Sequence, residues 1–218
     1  MIPTFRRDFI AAGALSLLAA GSGLAQQAAK GAAKPAVILV VGDSLSAEYG
    51  LARGSGWVTL LEQRLAQEKL QARVINASVS GDTTAGGRAR LATLLKIHQP
   101  TLVVLELGGN DALRGLPLAN TQDNLNWMTA QSQAAGARVL LVGMQVPPNY
   151  GADYGLRFAS LFEAVAKERK AALVPFLLKG VADIPNATAL FQPDRIHPNA
   201  EAQPRMLDNV WPELRKLL

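Results

Sequence analysis

The stretch AVILVVGDSLS (36–46) joins six apolar residues to a polar turn. An apolar run without alternation reads as a strand covered on both faces, the kind a parallel sheet uses. The same arrangement recurs twice. ARVIN (72–76) is followed by Ser80-Gly81-Asp82, and TLVVLEL (101–107) runs into Gly108-Gly109-Asn110-Asp111. RVLLV (138–142) and a short apolar segment near 173–176 add two more strands. Between them the apolar spacing is helical, near 56–70 (Trp57, Leu60, Leu61 and Leu65 on one face), 86–98 (Leu91, Leu94, Leu95), 121–135, 157–171 and 199–217. Repeated strand–helix units in one sheet need right-handed crossovers. The expectation is an α/β fold: a flavodoxin-like three-layer α/β/α sandwich on a five-stranded parallel sheet.

The chain has 218 residues, enough for one domain with a sizeable core. Its 49% hydrophobic and 18% charged residues argue against disorder. Arg6-Arg7, the apolar Phe9 to Leu18 and the small residues Gly23-Leu24-Ala25 read as a cleavable export signal over 1–25. Arg6-Arg7-Asp8-Phe9-Ile10 also resembles a twin-arginine signal, so either export route stays open. Residues 26–35 read as a flexible leader, and 36–218 as the domain. A periplasmic or secreted location is expected.

Several function classes fall away on composition. Without cysteine there is no disulfide, no thiolate metal site and no thiol nucleophile. His98 and His197 are the only histidines and no H-E-x-x-H occurs, so no metal or other cofactor is expected. No long basic run is interleaved with aromatics, which argues against nucleic-acid binding. The net charge of +5 suits an anionic membrane surface or substrate. G-x-G-x-x-G is absent after the first strand, which disfavours a dinucleotide site.

In open α/β sheets ligands bind outside the carboxyl ends of the strands. The first three polar blocks sit at such ends, and a fourth, Asp194-Arg195-Ile196-His197-Pro198-Asn199, precedes the last helix. Ser44 is a candidate nucleophile, although Ser44 or Ser46 alone reads equally well as a helix cap. Asp194 lies three residues before His197, a spacing at which a carboxylate can hold Nδ1–H and leave Nε2 for the serine. His98 is the competing base, but it lies before Gln99-Pro100 at a helix end. The N–H groups of Ser44 and Gly81 and the amide of Asn110 are candidate oxyanion donors. Alone, Gly108-Gly109-Asn110-Asp111 is also a turn with a cap. Glu106 interrupts an apolar strand and reads as a structural hydrogen-bonding group.

The four blocks resemble those of the SGNH (GDSL-type) hydrolases, with Ser44, Gly81, Asn110 and His197 in the family's named positions and Asp194 completing the triad. VINAS (74–78), Ser80 to Thr83, LELGGND (105–111) and PNYG (148–151) carry the likeness further, over roughly 36–207. They are similar to the family's periplasmic bacterial esterases with thioesterase, lysophospholipase and arylesterase activity. The resemblance implies hydrolysis of acyl esters and thioesters through an acyl-enzyme on Ser44. Leu113, Leu116, Leu118, Pro147, Tyr150 and Tyr154 are the candidates to meet the acyl chain, and ordinary loop packing explains them as well. Small acyl substrates, contact with a lipid surface and a monomeric state are expected. Arg195 departs from the family, where glycine often stands between the aspartate and the isoleucine. The α/β-hydrolase elbow G-x-S-x-G is excluded, since Ser46 occupies its last position. A carbohydrate acetylesterase and a non-catalytic ligand-binding domain are the rival readings.

Overall fold

Strands β1 (Ala36–Gly42), β2 (Ala72–Asn76), β3 (Leu102–Glu106), β4 (Arg138–Val142) and β5 (Ala172–Val174) form one sheet in the computed structural model, which describes residues 35–218. The order is β2-β1-β3-β4-β5 and every pairing is parallel. The expected export signal (1–25) and all but the last residue of the leader (26–35) lie outside the described residues.

Among the described residues six helices flank the sheet or its loops: α1 (Trp57–Gln67), α2 (Thr84–His98), α3 (Gly109–Leu113), α4 (Leu118–Ala134), α5 (Ala152–Arg169) and α6 (Gln203–Arg215). Helices α1 and α6 pack together on one side, while α2, α4 and α5 pack in sequence on the other. This is the expected three-layer sandwich. The middle strands are buried almost throughout, and β2, an edge strand, only partly. Trp57, Leu61 and Leu65 of α1 face inward, and Phe158 meets Phe162 edge to face at 5.4 Å in α5.

Three local features differ from the sequence expectation. Helix α5 starts at Ala152 rather than near 157, because Gly151 at φ +92° turns the chain directly into it. The last helical segment, expected over 199–217, is split. The Asn199 side chain accepts from the N–H groups of Glu201 and Ala202 to cap a 3-10 turn over Ala200–Ala202, and α6 follows with Pro204 in its first turn. Helix α3 was not expected, since one turn is too short to show periodicity. It begins after Gly108 at φ +119°, where a Cβ would lie 3.3 Å from Phe162.

Strand β1 pairs with β2 on one side and β3 on the other, with Val41 opposite Leu105 and Gly42 opposite Glu106. The chain leaves β1 in one direction and returns past it in the other. The crevice between the carboxyl ends of β1 and β3 is therefore the topological switch point.

Glu106 closes the floor of that crevice and is fully buried. Its Oε2 accepts from the Ser46 hydroxyl at 2.7 Å and the Asp43 N–H at 3.4 Å, and Trp57 Nε1 donates to Ser46 Oγ at 3.2 Å. A Cβ on residue 42 would lie 2.8 Å from this carboxyl, so only glycine fits there. Burial, reinforced by the neighbouring Asp43 charge, holds the Glu106 carboxyl well above the ordinary carboxylate range. A neutral isostere is thus a mild change. Glu106→Gln is expected to keep stability within about 1 kcal/mol of the parent. Glu106→Ala, which opens a cavity and strands the Ser46 hydroxyl, is expected to cost about 2–4 kcal/mol. Urea denaturation at neutral pH measures both.

Candidate active site

Directly after β1, the Asp43 carbonyl accepts from the N–H groups of Ser46 (3.2 Å) and Ala47 (2.9 Å), which folds the chain into a turn. The turn presents Ser44, partly buried, at the switch point. Ser44 Oγ lies 2.9 Å from His197 Nε2, and His197 Nδ1 lies 2.6 Å from Asp194 Oδ2. The loop after β5 thus delivers a base and its carboxylate to a hydroxyl 153 residues earlier.

The fourth block has its own scaffold. Gln192 N–H donates to the His197 carbonyl at 2.8 Å, and Phe191 bridges Pro198 in antiparallel fashion. Inside this hairpin Asp194 Oδ1 accepts from the N–H groups of Ile196 and His197, both at 3.0 Å. Desolvation pushes the Asp194 carboxyl up, but the side-chain and backbone hydrogen bonds from His197 and the backbone bond from Ile196 outweigh it. The net effect lowers it to about 2. Asp194 is therefore a fixed anion at neutral pH, able to orient the imidazole and stabilise its protonated form. Arg195, where the family often has glycine, sits at φ +58°.

Gly81 and Asn110 arrive from opposite sides of Ser44. Gly81 adopts φ +78°, a conformation that glycine reaches without strain. Among the described residues nothing accepts from the backbone N–H of Ser44 or Gly81. Asn110 Nδ2 donates to Asp43 Oδ2 at 3.0 Å. An amide NH₂ carries two hydrogens, so one is left for the crevice. Three donors that could serve an oxyanion thus converge beside a hydroxyl already bonded to a base. His98 does not join them. It ends α2, at the opposite edge of the sheet, where the chain enters β3.

The braces between the blocks were not singled out from the sequence. Arg90 donates to Asp82 (2.9 Å from Nε), to the Ala77 carbonyl and to the Gly42 carbonyl (3.4 Å), tying the second block to the first. Arg114 donates to the Gly81 carbonyl at 2.8 Å, tying the third to the second. Asp111 accepts from Thr84 N–H at 2.8 Å and from the hydroxyls of Thr84 and Thr121. Asp43 was legible only as a letter between Gly42 and Ser44, yet its carboxylate aims Asn110. Tyr49 was also missed, and its ring lies against His197.

The acyl-chain candidates separate. Leu113 and Leu116 are exposed beside the third block, whereas Leu118 packs against the core. Tyr150 and Tyr154 stack with centroids 6.3 Å apart. Their hydroxyls donate to the carbonyls of Leu113 (3.5 Å) and Ala112 (3.3 Å), bracing α3. Pro147 lines a separate apolar groove of about 360 Å³ with Val146, Pro148 and Leu156.

A parallel α/β sheet with a hydroxyl, a base, a carboxylate and clustered amide donors at its switch point defines a hydrolase of acyl compounds. The chain belongs to the GDSL-like lipase/acylhydrolase family, whose model matches residues 40–204, and it is a carboxylic ester hydrolase. It is 50% identical over 212 residues to esterase TesA of Pseudomonas aeruginosa, covering 97% of this chain and 100% of that protein. It is 41% identical over 187 residues to thioesterase 1/protease 1/lysophospholipase L1 of Escherichia coli, covering 86% and 87%. Among solved structures, TesA superposes with a TM-score of 0.80 at 54% identity, covering 84% of this chain and 99% of that one. The psychrotrophic esterase EstA from Pseudoalteromonas, inhibited by monoethylphosphonate, superposes at 0.77 with 40% identity, covering 83% and 97%.

Burial pushes the Asp43 carboxyl up to about 6, against the hydrogen bonds from Leu45 and Asn110. The folded chain therefore keeps a proton there that the unfolded chain releases near pH 3.8. Stability should fall as pH rises from about 4 to about 6, by an amount on the order of 2–3 kcal/mol. Asp43→Asn should make that part of the profile shallower, leaving the fall contributed by Glu106. Urea midpoints measured between pH 4 and pH 6.5 for both proteins test this, and parallel profiles would exclude Asp43 as the source.

Proposed function

We propose that this chain hydrolyses carboxylic esters and thioesters through an acyl-enzyme on Ser44. The observation that carries this reading is the 2.9 Å contact between Ser44 Oγ and His197 Nε2, with Nδ1 held 2.6 Å from Asp194. Ser44 Oγ attacks the acyl carbon while His197 Nε2 takes its proton. Asp194 stabilises the imidazolium, and the N–H groups of Ser44 and Gly81 with the Asn110 amide hold the oxyanion. The bond to the leaving oxygen or sulfur then breaks, and that atom leaves with the proton from Nε2. Water next gives a proton to His197, attacks the acyl carbon and releases the acid, restoring Ser44–OH.

The inhibition of the related EstA by monoethylphosphonate agrees with this reading, since phosphonates form a bond from phosphorus to an activated serine oxygen, as a substrate's acyl carbon does. Aryl esters, acyl-CoA thioesters and lysophospholipids are the substrate classes we assign. They rest on the names of the relatives and on the exposed Leu113 and Leu116 beside Asn110. We assign the mature enzyme to the periplasm or the exterior, with residues 1–25 as the export signal and 26–35 as a leader. Ser44→Ala should abolish turnover of p-nitrophenyl esters from two to sixteen carbons. Asp194→Asn should lower kcat by about 10³–10⁴-fold with the fold intact. Full kcat in Ser44→Ala would sink the mechanism.

Contact with lipid aggregates is part of the proposal. Among the described residues nine large apolar side chains are exposed, and most of them lie in segments that follow the carboxyl ends of the strands. Tyr49, Val79, Ile184 and Ile196 are among these loop residues at the carboxyl edge, and Ile97, at the end of α2, lies at the other edge. The net charge of +5, or +4 once Arg6, Arg7 and Asp8 leave with residues 1–25, adds attraction to anionic headgroups. The paired variant Val79→Ser and Ile184→Ser should weaken adsorption to phosphatidylglycerol vesicles about tenfold. Its turnover of soluble phenyl acetate should stay at the parent level. Equal adsorption of the two proteins in a sedimentation assay would rule these loop residues out.

A further inference from the structure

The Tyr49 ring lies against the His197 imidazole, with centroids 4.4 Å apart and planes tilted by 40°. It is 50% exposed, so its other side faces solvent at the crevice mouth. Its backbone is fixed at both polar groups. Tyr49 N–H donates to the Ser44 carbonyl at 3.4 Å, and the Tyr49 carbonyl accepts from Gln192 Nε2 at 2.8 Å. Gln192 also holds the His197 carbonyl through its N–H at 2.8 Å. Tyr49 is thus tied to the nucleophile turn and to the base hairpin together. The preceding Glu48 steadies the loop, its carboxylate accepting from the N–H groups of Gly54 and Gly56 and from the Thr59 hydroxyl.

The chemistry says what such a ring would meet. In acyl transfer through a serine, the histidine that takes the nucleophile's proton returns it to the leaving atom. The leaving group therefore lies on the histidine side of the nucleophile, away from the oxyanion donors. In this molecule that is the side of His197 Nε2, next to Tyr49. We infer that Tyr49 forms a leaving-group subsite that favours esters of aromatic alcohols, an inference that rests on the Ser44–His197 assignment. An aromatic leaving group can stack on the exposed phenol face, a contact an alkyl alcohol cannot match. The ring then acts in acylation only, because the leaving group is gone when water attacks. It determines specificity for the departing half of the ester, while the acyl half lies elsewhere.

A merely structural role, in which Tyr49 only holds the imidazole, predicts something else. It would lower all substrates alike and move the pH profile. The experiment compares phenyl butyrate with 2,2,2-trifluoroethyl butyrate, two activated esters that share one acyl-enzyme. In Tyr49→Ala the kcat/KM ratio of phenyl to trifluoroethyl ester should fall about fivefold. The pH profile on the trifluoroethyl ester should stay in place, and Tyr49→Phe should restore the ratio. Tyr49→Leu keeps bulk over His197 without an aromatic face, and should lower the ratio like alanine even if Tyr49→Ala folds poorly. A fall of equal size on both esters, or no fall on either, overturns the subsite. Ser44→Ala run alongside separates the two assignments. Retained turnover there would remove the nucleophile and the subsite with it, whereas a dead Ser44→Ala with an unchanged ratio in the Tyr49 variants removes the subsite alone.

Discussion

The pairing of β1 with β3, with Gly42 opposite Glu106, is the constraint on which the site depends. It makes the turn carrying Ser44 and the turn carrying Asn110 leave the sheet side by side, so that Asp43 can reach Asn110 at 3.0 Å. Pairing β1 with β2 on its other side brings the Gly81 loop in from the opposite direction. The fourth wall has no strand to place it and is tied by side chains instead. Gln192 reaches the Tyr49 carbonyl. Gln203, at the start of α6, accepts from Trp57 N–H at 3.0 Å and donates to the Asn199 carbonyl at 3.2 Å. The start of α1 and the end of the His197 loop are therefore held by one buried amide.

Loops that converge over a sheet bury polar groups, and each buried group needs a partner. Here the partners lie mostly in other blocks. Asp111 of the third block caps the start of α2 in the second, and Arg90 of α2 reaches back to the first. Such cross-links fix geometry more than they add net stability, because burying charge costs nearly what pairing returns. Asp43 and Glu106 carry that cost openly, since burial disfavours the ionised form of both. The result is a set of loops whose polar groups are held in place by partners in other loops.

The strands were legible in the sequence because a sheet covered on both faces demands unbroken apolar runs, as in 36–41 and 102–105. Ser44, Gly81 and Asn110 stood out as candidates because polar blocks at strand ends are short and self-contained, and His197 because a carboxylate, Asp194, lies three residues before it. What stayed hidden acts through space. Arg90 is one cation on an amphipathic helix until Gly42 and Ala77 are folded against it. Tyr49 is an exposed aromatic in a turn until the loop after β5 sets His197 beside it. Tyr150 and Tyr154 were read for their rings, yet their hydroxyls brace α3, a helix whose single turn leaves no periodic signal.

Two of the six non-glycine residues with left-handed backbone among the described residues border the site. Glu48 and Arg195 both adopt left-handed backbone, at φ +59° and +58°, and each borders a group used by the site, Tyr49 and Asp194. Such a conformation costs a residue with a Cβ about 1–2 kcal/mol. At Glu48 the compensation comes from its own carboxylate, which organises the loop through Gly54, Gly56 and Thr59. At Arg195 it comes from the hairpin: reversing the chain there is what lets both Ile196 and His197 N–H reach one oxygen of Asp194. Bonds to a carboxylate are among the stronger hydrogen bonds a loop can form. They hold Asp194 in place for His197 against the strain of a left-handed residue that carries a Cβ.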